Sequence, residues 1–412
     1  SRALGAEDVG DRSIAIGFAC LGSQNSDSDN ETTGNVGIGI ETGFYNVTGQ
    51  YNTLLGTGAG FGVSGNSHSY NTAVGYSSMN SVTTGGSNVA VGFNSLKDST
   101  TGTQNVGVGT GASQGLTTGL ANVSIGFQSM YTPSTMTYSV AVGSESMRDI
   151  PANRAISYST SVGYAAFKGN ASTTTGANYT TAIGHQALFD LQTGGSNVAV
   201  GALCAENITT GAENTVVGTS AMRNSTTGSN NTALGRQAMG SGITTGDDNT
   251  AVGHNSGLAI TSGTQNVLVG NGSGQLLESG DNNVILGYLA GDGFTANNAM
   301  TLVGALAGGA VNSNGANGST AVGYNALGSL VSGADNTALG LNAGDLLTTG
   351  AQNTLLGESA DTSANSSSNQ TVVGYGATGQ ADNSVTLGNA SVTDVYMSED
   401  SGAYVHSQNV PN

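Results

Sequence analysis

A five-residue phrase that ends in glycine recurs along the chain and limits its fold more than any other feature does. Two early copies read Asn71-Thr-Ala-Val-Gly75 and Asn88-Val-Ala-Val-Gly92. We call the closing glycine the register glycine, and we call one repeat, from five residues before its register glycine to the turn that follows it, a coil. Of the 21 spacings between the 22 copies, 14 equal 17 residues. So regular a repeat predicts a stack of like units rather than several globular domains. The register glycines lie at 17, 39, 56, 75, 92, 109, 126, 143, 163, 184, 201, 218, 235, 253, 270, 287, 304, 323, 340, 357, 374 and 388.

The residues just before the register glycine alternate in character. Three places before it, all 22 copies carry a β-branched residue: 12 Thr, 9 Val and Ile14. One place before it stands Val, Ile or Leu in every copy, and the residue between these two varies. Stiff, branched side chains at every second position are typical of a strand. The pattern therefore predicts a short strand in each coil with one face buried.

The residues after the register glycine predict the rest of the coil. Three places after it lies Ala or Ser in 19 copies, with Thr42, Cys20 and Cys204 as the exceptions. Leu or Met often follows, and a Thr-Thr-Gly phrase such as Thr83-Thr-Gly85 closes the coil. We read each coil as a strand, a glycine turn, a short strand and a second turn. The predicted fold class is all-β: a repetitive β-solenoid, a β-roll or β-helix, of about 22 coils with a mostly 17-residue repeat.

The composition predicts a thin interior. The 412 residues are 37% apolar and only 5% aromatic, which leaves little bulk for several thick cores. Thin bodies bury proportionately little surface, so we expect a parallel homotrimer whose chains shelter one another. A wider monomeric solenoid is the alternative arrangement.

The charge balance limits the kinds of partner that we expect the chain to bind. The chain has 8 Lys+Arg against 26 Asp+Glu, a net charge of −18. Affinity for nucleic-acid backbones comes from Lys and Arg, so nucleic acid is not an expected partner. No apolar run approaches the roughly 18 residues of a membrane-spanning helix, so we do not expect insertion in a membrane.

The repeat resembles those of trimeric fibre proteins. The phrases Asn249-Thr-Ala-Val-Gly253 and Asn383-Ser-Val-Thr-Leu-Gly388 resemble the head repeats of trimeric autotransporter adhesins of the YadA type. The longer phrase Asn231-Thr-Ala-Leu-Gly-Arg-Gln-Ala-Met239 is similar to shaft repeats of phage tail fibres. The segment Gly388-Asn-Ala-Ser-Val-Thr-Asp-Val-Tyr396 is similar to the stretch that joins such a shaft to a self-cleaving chaperone domain. The mostly longer coil departs from the adhesin repeat.

That resemblance implies an extracellular fibre, at a cell surface or on a virion. Its implied function is a trimeric shaft or adhesin that projects a binding end toward a cell surface or another fibre subunit. The implied partners are the chain itself, as a homotrimer or an end-to-end filament, and a surface glycan or cell-surface receptor. The predicted organisation is an N-terminal cap or junction over 1–12, a solenoid shaft over 13–388 and a C-terminal neck or junction over 389–412.

Irregular coils indicate where binding residues would project, because insertions in a solenoid form lateral loops. The inserted stretches are 18–39 and 127–184. Aromatic and cationic residues cluster in the second, as they do at recognition surfaces; a tolerated bulge is the alternative interpretation. The predicted glycan contacts are Tyr131, Tyr138, Arg148, Arg154, Tyr158 and Tyr179.

Three side-chain columns carry alternative interpretations. Asn precedes the strand in 14 copies, where it predicts an amide ladder between coils rather than a ligand array. The residue after the register glycine is aromatic in eight copies, with His185 and His254 in the same column; these rings either stack on sugars or on the next coil. The Thr-Thr-Gly phrases suit turns, with an ice-binding Thr array as the alternative.

The sequence predicts no enzyme, no metal site and no cofactor. Cys20 and Cys204 both lie three residues after a register glycine and ten coils apart. That separation, on the order of 48 Å, is far beyond disulfide reach. We expect each to be a small buried side chain in place of Ala.

Overall fold

The computed structural model describes residues 12–25, 32–152, 154, 156–173, 175–309 and 315–396. It confirms the all-β solenoid: a parallel stack of about 20 turns with one short strand per coil. The one helical element among the described residues is a 3-10 turn, Thr175–Ala177. Most of the predicted cap, 1–11, and the end of the predicted neck, 397–412, lie outside the described residues. The chain divides into two compact units, Ser1–Ser262 and Gly263–Asn412.

In the first unit, fourteen three-residue strands pair in parallel, each with the next along the chain. Equivalent residues of successive coils lie opposite each other, as Val89 and Val106 do. The strands are β1 Ile14–Ile16, β2 Val36–Ile38, β3 Thr53–Leu55, β4 Thr72–Val74, β5 Val89–Val91, β6 Val106–Val108, β7 Val123–Ile125, β8 Val140–Val142, β9 Thr160–Val162, β10 Thr181–Ile183, β11 Val198–Val200, β12 Thr215–Val217, β13 Thr232–Leu234 and β14 Thr250–Val252.

The second unit repeats this arrangement with eight strands, again paired in parallel in chain order. The strands are β15 Val267–Val269, β16 Val284–Leu286, β17 Thr301–Val303, β18 Thr320–Val322, β19 Thr337–Leu339, β20 Thr354–Leu356, β21 Gln370–Val373 and β22 Ser384–Leu387.

The strand face that is buried inside the chain is the one with the variable residue. In β5, Ala90 is fully buried while Val89 and Val91 are half-buried, and this pattern holds in nearly every strand. The middle residue varies because it shares a small interior with the residue four places after the register glycine. Where the middle residue is Leu54, that position is Gly60, and a Cβ there would lie 2.7 Å from Leu54 Cδ2. A large middle residue such as Leu54 thus leaves room only for a small residue opposite it.

The register glycine is required by both conformation and space. Gly92 has φ +132°, a region that L side chains rarely adopt, and a Cβ on it would lie 2.5 Å from the carbonyl oxygen of Gly109 in the next coil. The glycines of successive coils therefore stack backbone against backbone. Any side chain here would push the coils apart.

The predicted second strand is wrong. After the register glycine the backbone forms turns in which the second and fourth residues are left-handed, as at Ser77 with φ 52° and Met79 with φ 49°. Such residues cost roughly 1 kcal/mol each when they are not glycine. Hydrogen bonds between coils compensate: the Met79 amide donates to the Ser95 carbonyl at 3.0 Å, and the Ser81 amide to the Lys97 carbonyl at 2.9 Å. The Met79 side chain is fully buried.

The Asn column forms the predicted amide ladder. Asn105 donates its side-chain amide to Asn88 Oδ1 at 3.2 Å and to the Gly119 carbonyl at 2.7 Å. Its backbone amide donates to the same Asn88 oxygen at 2.9 Å. Asn88 and Asn105 are buried, so each side chain satisfies backbone groups that water does not reach. The ladder is structural.

Both cysteines are free and fully buried, as predicted. They lie inside their own coils, and burial raises the pKa of the Cys204 thiol to about 12. A buried thiol of high pKa is a packing residue rather than a nucleophile.

Candidate functional site

The branched residues of each strand, three and one places before the register glycine, point away from the interior; we call them the outer strand face. Those that are most exposed range from 36% for Ile38 to 67% for Val385, and the rest are partly exposed. In-register pairing lines them up in two continuous columns within each unit. These side chains do not pack inside the chain, because the middle residue of each strand already fills the interior.

The outer strand face is flanked by two rims. The leading rim is the residue five places before the register glycine, and the trailing rim is the residue directly after it. Both carry exposed rings: Tyr70 on the leading rim is 60% exposed, and Tyr76 on the trailing rim is 56% exposed. With the rims included, the strip of the first unit covers about 1,300 Å², taking about 4.8 Å per strand and 3.3 Å per residue.

Three of the predicted contacts form a file on the leading rim. Tyr138, Tyr158 and Tyr179 lie one coil apart, with ring centroids 5.3 Å apart in both pairs and interplanar angles of 10° and 4°. Each is at least half exposed. Stacking covers the ring faces that would otherwise lie against a sugar, so what the file presents to solvent is ring edges and hydroxyls. A free face remains only beyond each end of the file, where the column continues as Ala121 and Ser196.

Rings on the trailing rim also stack on the rings of the next coil. Tyr76 stacks on Phe93 at 5.5 Å between centroids, and Tyr164 stacks on His185 at 5.4 Å. The interpretation that these rings stack on the neighbouring coil is confirmed for these pairs. His185 is thus a ring of the column.

The other predicted contacts lie elsewhere. Tyr131 and Arg148 are both five residues after a register glycine, on the turn side, and the Tyr131 ring lies over Gly111 of the preceding coil. Arg154 is exposed in the inserted loop, where its backbone amide donates to the Pro151 carbonyl at 3.0 Å. The six residues therefore do not form one site.

Arg148 belongs to an ion-pair cluster. It contacts Glu145 at 2.9 Å and Asp149 at 3.3 Å, and Lys168 from the next coil contacts the same two carboxylates at 3.3 and 3.6 Å. Partial burial alone would raise the pKa of Glu145, but hydrogen bonds and charge from Lys168 and Arg148 hold it below its usual value. Lys168 also lies 5.3 Å from the centre of the Phe189 ring. These contacts join neighbouring coils, so the two cations are already engaged within the chain.

The Thr-Thr-Gly hydroxyls are used in the same way. Thr83 Oγ1 donates to the Thr100 carbonyl at 2.9 Å, and Thr100 Oγ1 donates to the Thr117 carbonyl at 3.2 Å. The first threonine of these turns therefore bonds the next coil. In these two turns only the hydroxyl of the second threonine is left to order water, half of what a paired Thr array would offer.

Metal-binding and membrane features were searched over the described residues. In that part of the chain, no three His, Cys, Asp or Glu side chains are placed to hold a metal ion. Nor does the same part contain a helix long and apolar enough to cross a membrane.

The outer strand face is the feature that sequence reasoning missed, since branched strand residues suggest burial. A signal was available: the residue four places after the register glycine is small where the middle residue is large, as with Leu268 and Gly274 or Leu302 and Gly308. That compensation marks the middle residue as the interior one.

No protein-family profile matches the chain. No curated protein sequence matches it significantly.

Proposed function

We propose that the protein is a structural fibre: a parallel homotrimeric β-solenoid that acts as an extracellular shaft or adhesin at a cell surface or on a virion. It projects a binding end toward a cell surface or another fibre subunit. The observation that carries this proposal is the outer strand face with its two rims, a strip of branched and aromatic side chains interspersed with Thr and a few charged residues, which the chain leaves uncovered. A strip of about 1,300 Å² in the first unit exceeds the roughly 800 Å² per partner of a standard interface.

Three chains suit this surface better than two. Two flat faces pressed together would cover the strand columns but leave both rims in water. Around a three-fold axis, each chain turns its strand face inward and brings each rim against a neighbour. Exposed rings such as Tyr70 and Tyr76 on opposite rims of one coil support that arrangement.

The fibre's work is mechanical. Backbone hydrogen bonds run from coil to coil on the strand side and on the turn side. Pulling or proteolysis would have to break several such bonds per coil together, because each coil is held by its neighbours. Regular coils thus supply rigidity, and the variable outer columns carry specificity.

Paired substitutions within one region test the interface. Leu234 lies on the outer strand face at 46% exposure, and Ile243 lies away from the strand at 61%. We expect the wild type and Ile243→Glu to sediment as trimers, while Leu234→Glu dissociates with an unchanged circular dichroism spectrum. A Leu234→Glu protein with the wild-type mass would contradict the proposed interface.

Direct glycan binding is the second candidate, favoured by the exposed file of Tyr138, Tyr158 and Tyr179. A sugar ring would lie on the free face at either end of the file. A glycan array measures this: Tyr138→Ala and Tyr179→Ala should lose the bound glycan, and Tyr375→Ala, far along the trailing rim, should keep it. Wild-type protein that retains no glycan would remove this candidate.

A further inference from the structure

Charges of opposite sign lie on the two rims of one stretch of the first unit. On the leading rim, Glu213 and Asp248 are exposed acids two coils apart. On the trailing rim, Arg236 is exposed in the coil between them, and His254 is half-buried in the coil of Asp248. No Tyr or Phe stands on either rim of these coils.

Within one chain these charges do not meet. Six residues separate the rims of a coil, up to about 20 Å of extended backbone. Over the described part of the chain, the ion pairs include none of Glu213, Asp248 and Arg236. Arg236 Nη1 instead lies 3.1 Å from His254 Nε2. Because Arg is always charged, it donates here and the imidazole nitrogen accepts. Because the His254 ring is neutral here, it does not neutralise the Arg236 guanidinium, which can still form an ion pair with a carboxylate.

A three-fold axis along the stack brings unlike rims together. In a cyclic trimer every interface joins one edge of a chain to the other edge of its neighbour. In a parallel trimer the coils lie level, so Asp248 of one chain faces the level of His254 of the next. Arg236 lies one coil, about 4.8 Å, from the levels of both Glu213 and Asp248.

We infer that a second copy of the chain docks here rim to rim, with Glu213 and Asp248 of one chain against Arg236 and His254 of its neighbour. This inference rests on the proposed trimer and specifies its contacts. The pairing disfavours axial slips of two coils, since such a slip would place Asp248 opposite the uncharged Ala202 and Thr219. Apolar columns alone, being alike in every coil, leave that alignment open.

Cross-linking tests the contact. Asp248→Cys with His254→Cys should give a covalent trimer with a short bis-maleimide under native conditions, because Cys20 and Cys204 are buried. The control pair, Asp248→Cys with Ser241→Cys, places the second thiol on the exposed turn side and should stay uncross-linked between chains. Sedimentation of the same samples reports the oligomer separately. A trimer that does not cross-link, or that cross-links equally in the control, overturns rim pairing alone; a monomer overturns the trimer as well.

Charge exchange gives a second, independent readout. Asp248→Lys should raise the concentration at which trimers dissociate by about tenfold. Adding Arg236→Glu should return it to within about twofold of wild type, whereas Asp98→Lys, six residues after its register glycine, should not change it. Equal weakening by Asp248→Lys and the double variant would contradict the pairing.

Discussion

Two neighbouring stretches of the first unit stack their coils in the same way but differ in coil length, in rim residues and in the residues of the ladder. Between Gly143 and Gly184 the spacings are 20 and 21 residues, the leading rim carries tyrosines, and Ser159 and Thr180 replace Asn in the ladder. Between Gly184 and Gly235 every spacing is 17, the leading rim is polar and the ladder is Asn throughout. Yet the strands of both stretches pair in the same register.

The difference separates what the stack requires from what it tolerates. Both stretches keep the register glycine and a buried middle residue, Ser161 in one and Val216 in the other. The ladder can use hydroxyls: the Thr180 amide donates to Ser159 Oγ at 3.2 Å. Coil length and both rims vary freely. The rim residues can therefore change along the stack without loss of the fold.

The largest expected effect is at the register glycine, and it should be equal in both stretches. A Cβ at Gly163 would lie 2.4 Å from the Gly184 carbonyl oxygen, and one at Gly218 would lie 2.3 Å from that of Gly235. We expect Gly163→Ala and Gly218→Ala each to cost about 4 kcal/mol or to prevent folding. Chemical denaturation measures this against Ser241→Ala, which should be neutral. A tolerated alanine in the inserted stretch alone would mean that its coils are not stacked like the regular ones.

In one coil of the first unit, the buried residue His68 lies against the Asn ladder. His68 is 2% exposed; its Nε2 lies 3.2 Å from the Gly60 carbonyl and its Nδ1 lies 3.3 Å from the Asn71 side-chain amide nitrogen. With Nε2 donating to Gly60, Nδ1 accepts from Asn71, so the ring is neutral. Burial lowers the pKa of His68 from 6.5 to about 4.

The unfolded chain therefore binds a proton between pH 6.5 and 4 that the folded chain does not. Stability is fully present above pH 6.5 and falls by about 3 kcal/mol as the pH drops to about 4. Thermal unfolding from pH 7 to 4 should show a steeper loss for the wild type than for His68→Gln. Parallel pH profiles would contradict a buried neutral ring.

The two ladders should differ in strength. Asn214 donates its side-chain amide to Asn197 Oδ1 at 3.1 Å and to the Gly228 carbonyl at 2.9 Å, and it accepts from the Asn231 amide at 2.9 Å. Asn214→Ala leaves buried groups without partners, at a cost of about 2 kcal/mol. Ser159→Ala removes fewer bonds and should cost about 1 kcal/mol. Equal losses by denaturation would mean that the hydroxyl ladder is as strong as the amide one.

The smallest effect belongs to the tyrosine file. Tyr158 stacks on both neighbours, yet it is 52% exposed. Tyr158→Ala should lower the stability of the isolated chain by about 1 kcal/mol. A much larger loss in the assembled protein than in a dissociated variant such as Leu234→Glu would place the file in the interface between chains; equal losses would leave it solvent-facing.

The sequence was enough to predict a stack of coils, but it was not enough to predict the backbone path and the buried face within each coil. Fourteen equal spacings and an invariant glycine such as Gly92 predict a solenoid, because no other fold needs the same backbone contact every 17 residues. The amide ladder and the buried cysteines followed from their columns. The sequence singled out the tyrosines of the file but did not predict that they stack. Their stacking follows from their common position, five residues before a register glycine.

What failed depended on backbone conformation and on packing between columns. Met79 and Leu96 are ordinary residues in left-handed conformations, which propensity disfavours and bonds between coils enforce. The predicted second strand failed for that reason. The predicted glycan residues lie on different sides of a coil, as Tyr138 and Arg148 do, and their role in binding stays a prediction.

Mass in solution is the most direct test of the uncovered strand face. Sedimentation equilibrium in native buffer should give three times the chain mass of 40.5 kDa, and the same sample in denaturant should give 40.5 kDa. A single-chain mass under native conditions would mean that the outer strand face stays in water, and the trimeric fibre would be wrong.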